Sequence, residues 1–305
     1  GRLKNAAEAN ELEYRATQKD LDVIKLNLEN SVVLNYFKLK MLNENENIYK
    51  ENLKNYNTIY SMSSAKYKYG LISNLDVVEA KQSIASTENT INSNELEIKK
   101  VEQTLRNILN YKPSDKIKVT NGSIIDVKNL GIDLNVPIDT ISSRPDLKAA
   151  EYRLMSAFKN KTSTEKTIYP DITLSSSLSS NGSKLNNSMN TPIGALNIGI
   201  SLPFPDWNRI KWNVKISQSD FEQSKLNFVQ SLTTALNDID VYYYTYNNYQ
   251  YNFENINEQY ENNKQISKYY KVRYEQGISE MSDWLNAIQT ENISKIETIS
   301  AKYNL

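Results

Sequence analysis

The side chains that carry most chemistry near neutral pH are missing from this sequence. It has neither His nor Cys, so no imidazole base, thiol nucleophile, zinc site or disulfide framework is available. Catalysis would have to rest on carboxylates, Tyr, Ser or Lys. Two acids suffice for a glycosidase, but no Asp/Glu pair stands apart from the acids strung along solvated helix faces. A hydrolase is therefore a remote reading, and the expectation is a protein that is not an enzyme and needs no cofactor or metal. Lys+Arg and Asp+Glu both number 36, and a balance of zero offers no basic surface for nucleic acid. Tyr is abundant, 21 against 6 Phe. The cluster Tyr242, Tyr243, Tyr244, Tyr246 and Tyr249 suits amphipathic wall positions, apolar on a seam with the hydroxyl toward water, better than a stacking platform.

The elements that position these groups follow from the placement of Gly and Pro. There are only 8 Gly and 7 Pro in 305 residues, too few turn residues for a sandwich, a barrel of short strands or a doubly wound sheet. All the prolines lie between Pro113 and Pro205, leaving Gly/Pro-free runs over 2–69, 71–112, 206–276 and 278–305. A helix filling the first run would extend about 100 Å at ~1.5 Å per residue. Its heptad positions Leu21, Leu28, Leu42, Tyr49 and Tyr56, with Val32, Leu39, Leu53, Tyr60 and Tyr67, predict an interrupted coiled-coil seam. Val33, Tyr36 and Phe37 widen it, as a helix with more than one neighbour requires.

An internal repeat organises these runs. At an offset of 207 residues, Arg2 pairs with Arg209, Tyr36 with Tyr243, Tyr67 with Tyr274, Gly70 with Gly277, Asp76 with Asp283 and Ala80 with Ala287. Each of the two glycines sits where a long helix stops and reverses, in the left-handed position past a helix end. Ser73 and Asp76 have capping-box spacing for the returning helix, and Ser279 or Ser282 is expected to cap the second one. Two helical hairpins result, their return helices running from about 74 to 110 and from about 281 past 305.

Between the hairpins, residues 111–143 read as a small mixed connector, followed by a helix from about Pro145 to Thr167. Two ten-residue segments then alternate. In 171–180, Ile172, Leu174 and Leu178 oppose Thr173, Ser175, Ser177 and Ser179; in 193–202, Leu196, Ile198, Ile200 and Leu202 oppose Asn197, Gly199 and Ser201. A strand of about 9–11 residues crosses a tilted barrel wall in a bilayer, with the aliphatic set toward lipid. Pattern alone fits equally a soluble hairpin lying on the helices with its Ser face in water. A polar loop, Asn181 to Pro192, joins the strands, and Pro203 and Pro205 end the second. No run approaches the ~18 apolar residues of a transmembrane helix.

These features together resemble the TolC-like outer-membrane efflux proteins. The carrying motifs are RPDLKAAEYRL (144–154), IYPDITLSSSLS (168–179), SLPFPDWNR (201–209) and the tip turns YKYGLISNLDVVEA (67–80) and RYEQGISEMSDWLNA (273–287). The resemblance implies a mainly α fold: long antiparallel helical hairpins forming an α-barrel wall, plus a two-strand β-hairpin that joins a trimeric outer-membrane β-barrel. The divisions would be 1–110, first hairpin; 111–143, equatorial belt; 144–170, helix of the second repeat; 171–205, barrel hairpin; and 206–305, second hairpin. It also implies a homotrimer in the outer membrane of a Gram-negative-type bacterium, with a large periplasmic part. The assembly would be an exit duct for efflux or type I secretion that performs no chemistry.

The expected partners are outer-membrane lipid, a periplasmic adaptor (membrane fusion) protein and an inner-membrane transporter. Tyr69, Gly70, Leu71, Gln276, Gly277 and Ile278 occupy the family's adaptor-docking tips. One aperture carboxylate ring would be Asp283. The second family aspartate falls on Asn286, which halves the formal charge expected there; the first-repeat position is Asp76. The arginine that joins the tip helices in the best-known member is replaced here by Ser279, so a gate locked by that ion pair is not expected. Residues 144–207 have no counterpart in the first repeat, and position 305 maps to 98 in a hairpin that runs to about 110. The expectation is that the full protein carries more chain at both ends, including a second pair of strands. The rival reading is a soluble, elongated coiled-coil tether, which accounts for the heptads but not for the alternating strands or the matched tips.

Overall fold

The computed structural model describes residues 1–129, 131, 138–180 and 192–305. In chain order the elements are α1 (Arg2–Lys68), α2 (Asn74–Leu109), α3 (Ile138–Ser142), α4 (Pro145–Glu165), a 3-10 turn (Lys166–Ile168), β1 (Asp171–Ser180), β2 (Pro192–Ser201), a second 3-10 turn (Phe204–Asp206), α5 (Trp207–Glu275) and α6 (Met281–Asn304). Helices thus fill the four Gly/Pro-free runs. No helix among the described residues is long and apolar enough to cross a membrane, which bears on helical spans alone.

The chain divides into two compact units, to both of which α1 and α5 contribute. The first holds Gly1–Ile24 and Val136–Asp238. In it α4 runs antiparallel to the start of α1 along a seam of small residues, Ala149, Ser156 and Ser163 against Ala9 and Ala16, all buried. The heptad spacing of both sets keeps them on one stripe, and their size lets the two backbones approach closely. Ser156 Oγ donates to the Ala9 carbonyl at 2.9 Å and Ser163 Oγ to the Arg2 carbonyl at 3.0 Å. Charged pairs rim the seam: Lys159 reaches Glu8 at 2.6 Å, and Arg153 grips the Asp20 carboxylate. These exposed pairs set the register of the helices more than their stability.

The second unit holds Lys25–Asn135 and Ile239–Leu305. Leu39 and Leu42 of α1 pack against Ile98, Val101 and Leu105 of α2, with Ile117 and Val119 of the connector beside them. Ile48, Ile124 and Ile299 join α1, the connector and α6. One turn-spaced stripe of α1 clamps the connector. Tyr36 Oη accepts from the Thr120 N–H at 3.0 Å, the buried Lys40 Nζ donates to the Thr120 and Gly122 carbonyls at 3.0 and 2.6 Å, and Glu44 accepts from Ser123 Oγ and the Ile124 N–H at 2.8 and 2.7 Å. The connector therefore needs no regular ladder to satisfy these backbone groups. The expected seam of α1 is covered at Leu39, Leu42 and Tyr56, whereas Leu21, Leu28 and Tyr67 stay exposed.

β1 and β2 pair antiparallel with Ile172 opposite Ile200, Leu174 opposite Ile198, Ser176 opposite Leu196 and Leu178 opposite Gly194. Opposed residues share a face, so Ile172, Leu174, Leu178, Leu196, Ile198 and Ile200 form one surface, with Ser176 and Gly194 among them, while Ile193, opposite Ser179, falls on the other face. The second strand is shifted by one residue from the expected 193–202, so Leu202 lies past the end of the ladder, two residues after Ile200 but outside the pairing. Pro203 already belongs to the turn into α5, and the chain leaves the ladder before reaching it. The joining loop expected over 181–192 lies outside the described residues except for Pro192, which opens β2.

Candidate functional site

Both hairpin tips are built the same way. At the first, the Gly70 N–H donates to the Tyr67 carbonyl at 2.9 Å and the Leu71 N–H to the Lys66 carbonyl at 3.0 Å. At the second, Gly277 donates to Tyr274 at 3.0 Å and Ile278 to Arg273 at 2.9 Å. This is the Schellman closure, which requires a left-handed residue at the glycine; φ is +69° at Gly70 and +74° at Gly277. The apolar residue after the glycine usually folds back onto the helix in this motif. Here Leu71 is 71% exposed and Ile278 59% exposed, so both tips present an uncovered aliphatic side chain, with the exposed Tyr69 beside Leu71. A Cβ at either glycine meets nothing within 4 Å, so the cost of substitution is backbone strain alone. Gly70→Ala or Gly277→Ala is expected to destabilise its hairpin by about 1–2 kcal/mol, with Asn tolerated better, read as ordered shifts in thermal unfolding midpoint.

The return helices open on acids. The Ser73 N–H donates to Asp76 Oδ2 at 3.1 Å while Ser73 Oγ accepts from the Leu75 N–H at 3.0 Å, the expected capping box. At α6 the cap is Glu280, whose N–H donates to Asp283 Oδ2 at 3.3 Å. Neither Ser279 nor Ser282 caps it: the cap falls three residues after the glycine at both tips, which here is Glu280, one residue past Ser279 and two before Ser282. Asp283 thus spends one oxygen on its helix start and stands exposed with Asn286 on the same face, three residues apart; Asp76 is half-buried.

Behind the tips the two hairpins interlock. Tyr56, Ile59, Ala80, Tyr274, Met281 and Ile288 form a buried cluster, and burial pushes the Tyr56 hydroxyl above its ordinary pKa. Lys66 Nζ donates to Tyr274 Oη at 2.9 Å and lies 4.5 Å from that ring's centre, and the ring stacks on Trp284 with the centroids 5.2 Å apart. Ser63 Oγ donates to Met281 Sδ at 3.3 Å. The buried Oγ of Ser279 has no hydrogen-bond partner among the described residues. Lys66, Asp76, Tyr274, Ser279 and Glu280 line a cleft of about 350 Å³ here. Sequence reasoning missed Lys66; only the repeat offset, which sets it opposite Arg273, marks it as a position of interest.

The β-ladder is the other candidate surface. All the predicted aliphatic residues on it, Ile172, Leu174, Leu178, Leu196, Ile198 and Ile200, are exposed, as is Leu202 beyond it. The opposite face carries Thr173, Ser175 and Ser177 against Gly199, Asn197 and Ala195.

Long paired helices with matched tip turns, and a two-strand ladder with one mostly aliphatic face, give this chain the fold of the α-barrel channels. The solved Campylobacter jejuni CmeC outer membrane channel superposes with a TM-score of 0.86 at 21% identity, over 99% of this chain and 65% of that one, a likeness of fold. Residues 1–111 and 136–305 match the outer membrane efflux protein family, and the chain belongs to that family. It is 42% identical over 304 residues to the toxin and drug export protein A of Aggregatibacter actinomycetemcomitans, covering 100% of this chain and 66% of that protein. It is also 26% identical over 242 residues to the cation efflux system protein CusC of Escherichia coli K12, covering 78% of this chain and 52% of that protein. The chain thus spans from about half to about two thirds of the relatives it matches.

Proposed function

We propose that this chain is the greater part of one subunit of a homotrimeric outer-membrane exit duct. Three copies would combine their strands into a shared barrel in the outer membrane and line a periplasmic tunnel with α1, α2, α5 and α6. An adaptor protein would dock at the tips, and an inner-membrane transporter would supply the cargo. The observation that carries the reading is the register of β1 and β2, which gathers Ile172, Leu174, Leu178, Leu196, Ile198 and Ile200 on one uncovered face and leaves a mostly polar face, Thr173, Ser175, Ser177, Ser179 and Asn197 with Ala195 and Ile193, on the other. That division suits lipid outside and a wet lumen inside. A tether in water gains nothing from it.

Asp283 is the proposed aperture carboxylate. Three-fold symmetry makes a ring from one residue per subunit, and a ring of carboxylates in a narrow mouth concentrates cations and repels anions. Asp283→Asn keeps an oxygen for the Glu280 N–H and so removes the charge without removing the cap. In the full-length protein in planar bilayers it is expected to lower cation-over-anion preference by roughly tenfold, the low end of what a charged cleft adds to local ion concentration. Unchanged selectivity would remove Asp283 from the aperture. A full-length protein that leaves cells without detergent, as a monomer or dimer, would remove the duct itself.

A further inference from the structure

The end of the ladder where the helices begin carries exposed aromatic and cationic side chains. Tyr169, just ahead of β1, is 68% exposed, and β2 leaves through Phe204, 70% exposed, into α5, where Trp207 and Trp212 are 49% and 61% exposed. Two of the chain's three tryptophans thus stand at the start of one helix, where the aliphatic face of the ladder gives way to it. Indole and phenol rings, apolar in the body and polar at one edge, favour the boundary between hydrocarbon and water, and barrels in a bilayer carry girdles of them there.

Asn208, Lys211, Trp212 and Lys215 follow the i, i+3, i+4, i+7 spacing of one helix face, and all four are exposed. On the other side of α5, the half-buried Phe221 packs on Phe158 of α4 with the ring centroids 5.7 Å apart. Lys215 Nζ lies 4.6 Å from the centre of the Trp212 ring. Lys211 and Lys215 are a like-charged i,i+4 pair, which weakens a helix when nothing bridges it. No Asp or Glu stands three or four residues from either lysine, and Asp206 is taken by Arg209. The repeat sharpens the contrast. The matching positions of α1 are Lys4 and Glu8, an ion pair at 3.8 Å, and Lys159 of α4 also reaches Glu8 at 2.6 Å. In the second repeat that glutamate is a lysine, and a tryptophan stands where the first has the buried Asn5.

We infer that this face of α5 seats an anionic phospholipid of the leaflet nearest the helices, its phosphate between Lys211 and Lys215 and its acyl chains running past Trp207 and Phe204 toward the ladder. Charge complementarity selects the headgroup: a phosphate bridging the two ammonium groups removes their repulsion. It also suits the positive end of the helix dipole, since no acid stands in the first turn of α5. Continuity with the ladder selects the tails, because the exposed Leu202 and Phe204 extend its apolar surface to the tryptophans. The inference rests on the outer-membrane reading proposed above and names the class of lipid and the side chains that would hold it.

The test uses full-length trimer purified from outer membranes in a neutral detergent and titrated with phosphatidylglycerol, with bound lipid counted per trimer by native mass spectrometry. Lys211→Gln with Lys215→Gln removes both charges at little cost in helix propensity and is expected to weaken phosphatidylglycerol binding roughly thirtyfold, the attraction of two lysines to an anionic lipid surface. Lys215→Glu, which copies the Lys4 and Glu8 pattern of the first repeat, should lose as much with trimer yield unchanged. Excess inorganic phosphate should displace none of the lipid. Unchanged phosphatidylglycerol affinity in both variants overturns the seat, and so does displacement by inorganic phosphate, which would make it a site for free anions. If the lysine variants leave lipid binding intact and shift ion selectivity in planar bilayers, the face lines the lumen, and the seat falls while the duct stands. If the unsubstituted protein yields no trimer, the duct reading falls and the seat with it.

Discussion

Leu174→Arg is expected to abolish assembly of the full-length protein in the outer membrane, whereas Ser175→Arg, one residue further on, leaves it intact. Leu174 lies near the middle of the ten-residue β1 and directly opposite Ile198, so its side chain sits on the aliphatic face close to the proposed bilayer midplane. An Arg on the lipid face there costs about 2–4 kcal/mol, and a trimer carries the change three times, about 6–12 kcal/mol in all. Ser175 faces the other way, opposite Asn197, where a cation would meet the water of the proposed lumen. Both side chains are exposed in the single chain, so nothing within the fold of one copy separates the two variants; only lipid does. The measurement is the amount of heat-modifiable trimer in the outer-membrane fraction. Equal trimer yields from the two variants would return the ladder to water and favour the tether.

The second large effect belongs to the tips. Leu71→Asp combined with Ile278→Asp should leave trimer yield and single-channel conductance unchanged while abolishing export. The two side chains extend from Schellman turns whose hydrogen bonds are entirely backbone, so replacing them disturbs neither closure. What would be lost is burial against the adaptor under the proposed docking. At about 1.5–3 kcal/mol for each aliphatic side chain fully buried, the pair accounts for roughly 3–6 kcal/mol, a weakening of more than about a hundredfold, and burying two carboxylates adds to it. Adaptor co-purification and substrate susceptibility of cells carrying the variant read the two consequences separately. An unchanged adaptor affinity would move docking away from the tips, to the helix faces above them.

Much of this architecture is local and therefore legible in sequence. Gly70 and Gly277 mark the tips because a chain leaving an α-helix through a left-handed residue strongly favours Gly, and the structure puts both at positive φ. Ser73 and Asp76 announce the start of α2 because a capping box is completed within four residues. The two faces of the ladder follow from a period of two, which register preserves. Where local rules compete, the reading slips. Ser279, Glu280 and Ser282 all follow Gly277 within five residues, and Glu280 prevails over both serines because the Schellman closure sets where the chain turns back into a helix. Leu202 continues the alternation but not the pairing, since alternation is a property of the strand and pairing a property of its neighbour.

The sequence by itself determined the helical runs, their turning points, the repeat and the two faces of the ladder, because each depends on backbone preferences and side-chain periods within a few residues. Only the tertiary structure decided what covers each face. Lys66 and Tyr274 are 208 residues apart, and a heptad seam is compatible with many partners and registers. Nothing local selects Lys66 over Arg273 for the contact within one chain, or shows that Tyr36, Lys40 and Glu44 hold the connector; at the repeat positions Tyr243 keeps the tyrosine, while Asn247 and Tyr251 stand in place of the lysine and the glutamate. Those choices are made by long-range packing, which places the two copies of one hairpin design in different surroundings.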